Sequence, residues 1–401
     1  MLKKTHSARD QGLRARNALW ATFCLMGVVS MGWVPRLPEI KDIIGLTNGE
    51  LGIVFMGSTT GAIIGAQLAG RLIHTFGTRS VISGAVFIMP SGLIGVGLAQ
   101  NFLELFIALF ILGIGYASVD ISSNTQAVQI EKILGKRYMV SFHGMWSVGA
   151  FATTVLGGSI ANFVDPRENL IGVGVGAFLL FVPIARMLLS PELDNHDGGE
   201  EETSAKIPLF AKSTAVLWLM GIGLLGGMIA EGSASDWGGI LLKDSMGIGK
   251  GLNAAAFASF SLAMIVSRFS GDWALEKFGP ARVVKYGGYG GALIWGSAMA
   301  IAIPLSDTNQ VLAFIIVNLG FIAAGLGIGP MFPAFILAAS QLPGIAPGVA
   351  IARVGVIGIG GYFIGPTITG FLADQFSLPI AMIYPVALLA VGGFMSRVVK
   401  A

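Results

Sequence analysis

The chain has 401 residues, of which 54% are apolar and only 12% charged, against about 25% charged in an ordinary soluble domain. Its 25 Lys and Arg against 22 Asp and Glu leave +3, too mild a balance for a nucleic-acid surface. A single cysteine, Cys24, excludes an intramolecular disulfide, and four scattered histidines supply no Cys/His metal cage. The 58 glycines lie inside apolar runs with no collagen-like period, so they read as packing or hinge positions.

A membrane helix takes about 20 predominantly apolar residues. Twelve such runs are predicted, with cores at 18–35, 51–72, 80–98, 102–126, 139–162, 169–189, 213–235, 254–275, 286–304, 311–334, 349–372 and 378–396. The first lacks a signal-peptide cleavage site and reads as an uncleaved helix. The fold class is thus an all-α membrane protein of 12 transmembrane helices. Between the sixth and seventh runs, residues 191–212 carry Glu192, Asp194, Asp197, Glu200, Glu201 and Glu202. This hydrophilic loop reads as a solvated tether, with docking of a partner as the lesser option. It divides the chain into a tail (1–16), a six-helix bundle (17–190), a central loop (191–212), a second bundle (213–396) and a tail (397–401). With both termini in the cytoplasm, 19 basic residues fall on the inner side, five on the outer side and Arg268 within a span. That asymmetry sets the orientation and points to a multi-pass protein of the cell (inner or plasma) membrane.

The two halves repeat each other. Residues 70–82, GRLIHTFGTRSVI, align with 272–284, DWALEKFGPARVV, at an offset of 202; 149–162 align with 361–374 at an offset of 212. Internal symmetry of this kind marks a transporter built from two related bundles, with the substrate site between them near the midplane.

The loop motif carries a family resemblance. Gly70, Gly77 and Arg79 match the signature of the major facilitator superfamily, while His74 stands where the signature has an acid. The second copy supplies Glu276, Gly279 and Arg282, with Asp272 in place of the first glycine. The resemblance implies two pseudo-symmetric six-helix bundles, with this loop bracing helices and gating access on the cytoplasmic side. GIGYASVDISSN (113–124), HGMWSVGA (143–150) and AEGSASDW (230–237) further resemble the fucose-permease-like branch, which includes YbjJ-like and rhizopine-related membrane proteins.

Charges inside a bilayer are expensive, so the membrane acids are the first functional candidates. Asp120 lies 11 residues before Glu131, about 16 Å along a helix and so near mid-membrane. Gly113, Ala117, Asp120 and Asn124 share one helical stripe that should face the cavity. A carboxyl removed from water favours its protonated form, and the branch resemblance implies a proton site here; a structural hydrogen-bonding role is the alternative. The branch's other membrane acid is replaced by Val34. Asn124 and Gln126 are candidate substrate ligands. On helix 7, Glu231 is a candidate for substrate binding or proton relay, against simply facing outside water, and Trp237 for sugar stacking or interfacial anchoring. Arg268 is too deep for easy snorkelling and must meet an acid, a carbonyl or an anionic substrate, with Asp272 at i+4 as the structural partner. Arg36 and Asp236 fall opposite each other in the repeat and are candidates for an outer-gate ion pair, against two separately snorkelling charges. His143 and Arg353 are candidate inner-gate groups or satisfied helix-end residues.

Gly221, Gly223 and Gly226 spell GxGxxG without a preceding strand, which defeats the dinucleotide reading. Gly57, Gly61 and Gly65 form a double GxxxG suited to close helix contact. No Walker A sequence or paired catalytic constellation is present, so neither a cofactor nor enzymatic activity is expected. The expected function is proton-coupled symport of a small polar solute, a sugar or related metabolite by resemblance. Proton-driven efflux of drugs or metabolites is the alternative, and a non-transporting scaffold or sensor the more distant one. The expected partners are the solute and the lipid bilayer, with the chain acting as a monomer and the proton gradient as its energy source.

Overall fold

The structure, a computed structural model, describes residues 2–136, 138–194, 215–343, 345 and 347–399. Much of the predicted central loop therefore lies outside the described residues. The first half forms α1 (Leu2–Met31), α2 (Leu37–Ile44), α3 (Asn48–Phe76), α4 (Thr78–Leu98), α5 (Phe102–Leu134), α6 (Met139–Ser159) and α7 (Pro166–Ala185). The second forms α8 (Ala215–Met246), α9 (Ala255–Phe278), α10 (Pro280–Leu305), α11 (Gln310–Ile328), α12 (Met331–Ser340), α13 (Pro347–Gln375), α14 (Leu378–Ala381) and α15 (Ile383–Phe394). Eleven helical segments among the described residues are long and apolar enough to cross a membrane. Helix α6 occupies the place of the fifth predicted span. Helix α1 runs unbroken from Leu2, so Arg14 and Arg16 of the predicted tail stand on the same helix as the first span.

Local sequence explains where the helices start, stop and break. Asn101 caps α5 by accepting from Glu104 N at 3.0 Å, and Glu104 Oε2 in return accepts from Gln100 N at 2.8 Å. The same helix ends at Gly135, whose N–H donates to Glu131 O at 2.8 Å from a left-handed conformation. The predicted tenth span is broken into α11 and α12 because Pro330 has no N–H to donate to the Leu326 carbonyl. Ser267 on α9 takes that place, donating from Oγ to Leu326 O at 2.8 Å. Likewise Pro385 leaves Ala381 O without its helical donor, and the twelfth span is broken between α14 and α15.

The described chain falls into two compact units: unit 1 is Met1–Gly45 with Val54–Glu201, and unit 2 is Leu46–Ile53 with Glu202–Ala401. Within unit 1, α1 packs on α6, and α4 packs on α5 and α7. Within unit 2, α8 packs on α13, and α10 packs on α11 and α15. These are the same pairings by order within each half, so the duplication seen in the sequence is one of packing. In unit 2, the Leu46–Ile53 segment is held on α13: Gly49 N donates to Asp374 Oδ2 at 2.7 Å, and Thr367 Oγ1 donates to Gly52 O at 2.8 Å.

Glycine makes the helix approaches close enough. A β-carbon at Gly57 or Gly65 of α3 would lie 2.6 Å from Phe106 O or 2.5 Å from Ile114 O of α5, and one at Gly61 would overlap Phe110 O. The double GxxxG is thus a contact surface inside unit 1. Between α1 and α6, β-carbons at Gly27 and Gly149 would overlap the Trp146 and Cys24 carbonyls. The signature loops use glycine differently. Gly77 (φ 80°) and Gly279 (φ 79°) stand between α3 and α4 and between α9 and α10, in a backbone region that side chains disfavour.

Candidate functional site

In unit 1, α5 places Asp120 and Asn124 one turn apart, and both side chains are half-buried. Asn124 Nδ2 donates to Asp120 Oδ1 at 3.0 Å and to the Asp120 main-chain oxygen at 2.9 Å. The amide oxygen, Asn124 Oδ1, lies 3.2 Å from His143 Nε2 on α6. The exposed imidazole also sits edge-on to Phe23 of α1, with 5.1 Å between ring centroids. An aromatic platform adjoins it, in which Phe23 stacks on Phe142 at 5.7 Å and Trp20 Nε1 donates to Ser141 Oγ at 2.9 Å. Arg16 lies 4.6 Å from the Trp20 ring centroid. His143 therefore joins the Asp120 cluster, where sequence spacing had made it a separate gate group.

Other members of the expected stripe face elsewhere. Gly113 is buried against α3, where a β-carbon would overlap Ser58 O, and Ala117 is buried too. Gln126 is fully buried, donating from Nε2 to Thr78 Oγ1 at 2.7 Å and accepting from Leu189 N at 3.2 Å. Six residues beyond Asp120, it points to a different face of α5. Thr78 also donates, from N at 3.1 Å and from Oγ1, to the buried Asp194 carboxylate. This network ties Gln126 to the start of α4 and engages both ends of its buried amide within the unit.

In unit 2, Glu231 of α8 meets Arg268 of α9, with Oε1 and Nη2 3.3 Å apart. Glu231 is 13% and Arg268 36% exposed, so the pair is partly open to what surrounds it. The guanidinium thus has an acid partner across two helices; the side chain of Asp272, its alternative, lies outside the described residues. Ser235 Oγ lies 2.9 Å from Gly232 O and 3.3 Å from Asp236 Oδ1. Tyr362 of α13, half-buried, lies beside Ser235 and near Asp236, Glu231 and Arg268. Trp237 is fully buried, and its Nε1 donates to Pro366 O at 2.9 Å on α13. It is a packing residue between α8 and α13, unavailable for sugar stacking or for interfacial anchoring.

Arg36 is corrected more sharply. It is fully buried in unit 1, with Nε and Nη2 donating to the two Glu39 carboxylate oxygens at 2.9 and 3.0 Å. Further bonds reach Val164 O at 2.7 Å and Asn169 Oδ1 at 3.4 Å. The guanidinium is engaged within its own unit, where the sequence had set it opposite Asp236 as a candidate gate pair. Among the signature residues, Gly70 and His74 are exposed on the last turns of α3, and Glu276 and Arg282 are exposed around Gly279. Arg79 Nη2 donates to Arg186 O at 3.0 Å, tying the α3–α4 loop to the end of α7. Arg353 is half-buried near the start of α13.

Each unit thus presents a small polar cluster among apolar helices. One has a carboxyl, an amide and an imidazole; the other has two carboxyls, a guanidinium, a hydroxyl and a phenol. Such sets can hold protons and donate to or accept from hydroxyl-bearing solutes. Tyr362 escaped the sequence reading because a lone tyrosine in a glycine-rich span carries no charge signal; only its alignment with the α8 acids would have found it.

Comparison with known proteins agrees with this architecture. The profile of the Major Facilitator Superfamily matches residues 18–347. An uncharacterised MFS-type transporter of Yersinia pestis is 29% identical over 389 residues, 95% of each chain. The membrane protein MosC of Rhizobium meliloti is 24% identical over 365 residues, covering 91% of this chain and 85% of its own. Among solved structures, the nucleoside transporter NupG (D323A mutant) superposes with a TM-score of 0.75 over 97% of this chain and 100% of its own, at 13% identity, which speaks for the fold alone.

Proposed function

This chain belongs to the Major Facilitator Superfamily of transporters, and from that premise we propose that it is a secondary active carrier that moves a small polar solute together with protons. The observation that carries this reading is Asp120. A half-buried carboxyl in the middle of an apolar helix has a side-chain amide as hydrogen-bond partner and, among the described residues, no cation in an ion pair with it. Keeping an acid at that depth is costly unless it takes up and releases a proton. Asn124 and the Glu231–Arg268 pair are the groups best placed to meet solute hydroxyls, because they are polar and partly exposed. Gln126 and Trp237 drop out of the binding set for the reasons given above. The positive-charge asymmetry supports cytoplasmic termini in an inner or plasma membrane, and alternating access of the two bundles supplies the transport cycle.

The test is uptake by proteoliposomes of labelled L-fucose, D-galactose, myo-inositol and mannitol under imposed pH gradients of both polarities. Accumulation of at least one solute when the outside is acidic supports symport. Movement only against an inward proton gradient points to efflux, and no movement in either polarity overturns the carrier reading.

A further inference from the structure

Donor and acceptor rules fix the protons in the unit 1 cluster. The Asp120 main-chain carbonyl only accepts, so the Asn124 side-chain atom 2.9 Å from it must be the amide nitrogen. The amide oxygen then faces His143 Nε2 at 3.2 Å. Because an amide oxygen only accepts, Nε2 carries a hydrogen and the imidazole gains or loses its other proton at Nδ1. The Asp120 carboxylate receives the second bond from the same NH2 group, at 3.0 Å. One uncharged amide, oriented by a main-chain carbonyl and not by either titratable group, therefore connects a carboxyl to an imidazole.

The charge balance of this arrangement is specific. With one proton shared between the carboxyl and Nδ1, the pair is net neutral whichever group holds it: carboxylate with imidazolium, or carboxylic acid with neutral imidazole. Because Asp120 is half-buried among apolar helices, a carboxylate without a compensating charge is costly there, which favours those two states over a carboxylate beside a neutral imidazole. We propose that Asp120 and His143, held in register by Asn124, form one proton site in which His143 is a positioning partner whose charge follows that of Asp120. This rests on the reading of Asp120 as a proton-carrying group. Among the described residues, the ionisable groups near this end of α6 include Arg16 of α1, Glu131 of α5 and Tyr138 beside them. Arg16 is stacked on Trp20 and lies 5.3 Å from the Tyr138 ring centroid, and Glu131 accepts from Tyr138 N and from Met139 N at 2.8 Å. Both are thus engaged about one helical turn before His143. At the far end of α6, Arg36 is neutralised by Glu39.

The experiment needs no solute. The full-length protein is placed in lipid nanodiscs, and its histidines are titrated by nitrogen-15 NMR. The His143 signal, one of four, is assigned by its loss in His143→Gln. Replacing Asp120 by the near-isosteric Asn removes the charge that stabilises the imidazolium, so the His143 midpoint is expected to move by about one unit or more. That movement should shrink in an Asn124→Ala background. A midpoint unchanged by Asp120→Asn overturns the proposal; if that variant does not fold, an unchanged midpoint in Asn124→Ala does so. An unmoved midpoint in a protein that still couples solute flux to protons removes the pair and leaves the carrier reading. A moved midpoint in a protein that moves no solute does the reverse.

Discussion

Asp120 and Arg36 are both ionic groups in an apolar chain, yet their surroundings give them opposite tasks. Arg36 has a bidentate carboxylate and a carbonyl on its guanidinium and is fully buried, so it behaves as a structural tie between the α1–α2 corner and the α6–α7 connection. Arg36→Ala would take the guanidinium away from the buried Glu39 carboxylate, a change worth about 3–5 kcal/mol in comparable sites. The expected outcome is a clear fall in the thermal unfolding midpoint in detergent, with Arg36→Lys falling less. Asp120 has an amide partner instead, and Asp120→Asn should keep the fold while lowering gradient-driven accumulation roughly tenfold or more, with solute exchange at equal pH retained. Of these residues, the sequence made Asp120 legible through its depth in an apolar run. It misplaced Arg36, because the repeat alignment set it opposite Asp236 while its bidentate acid, Glu39, stands only three positions on. Gln126 was misread for a different reason. Its face of α5 is decided by what packs there, and Thr78 and the Leu189 amide claim it.

At the scale of helices, apolar length made the spans readable, and proline decided where two of them break. The tenth span reads as continuous because its hydropathy is continuous, but Pro330 withholds one N–H and Ser267 of a neighbouring helix supplies the replacement donor. Such a substitution across helices is invisible in a single window of sequence. Glycine spacing was more informative, since Gly57, Gly61 and Gly65 mark the α3 face that meets the α5 main chain. Gly61→Ile should be poorly tolerated, because the new side chain must displace the Phe110 carbonyl; overpacking of this type costs about 1–3 kcal/mol. Gly84→Ala on α4 is the control, with open space where its β-carbon would lie. Its melting midpoint in a fluorescence-based thermal shift assay should be unchanged or slightly raised, while that of Gly61→Ile drops.

For the whole molecule, duplication is the organising fact. The signature loops share a positive-φ glycine, Gly77 and Gly279, and equivalent helices pair in both units. The acid chemistry is not duplicated: unit 1 offers one carboxyl with an amide and an imidazole, and unit 2 offers two carboxyls with one guanidinium. Orientation can be checked independently, since the excess of basic residues on one side predicts a cytoplasmic C-terminus. A C-terminal green fluorescent protein fusion should fluoresce, and a C-terminal alkaline phosphatase fusion should stay inactive.

The central claim is that solute movement and proton movement are one event through Asp120. The most direct measurement follows the lumenal pH of proteoliposomes with an entrapped pH-sensitive dye while a transported solute is added outside at equal starting pH. The account expects wild-type vesicles to acidify inside as solute enters, and Asp120→Asn vesicles to exchange solute with no acidification. Solute entry without a pH change in the wild type, or equal acidification in the variant, would contradict it.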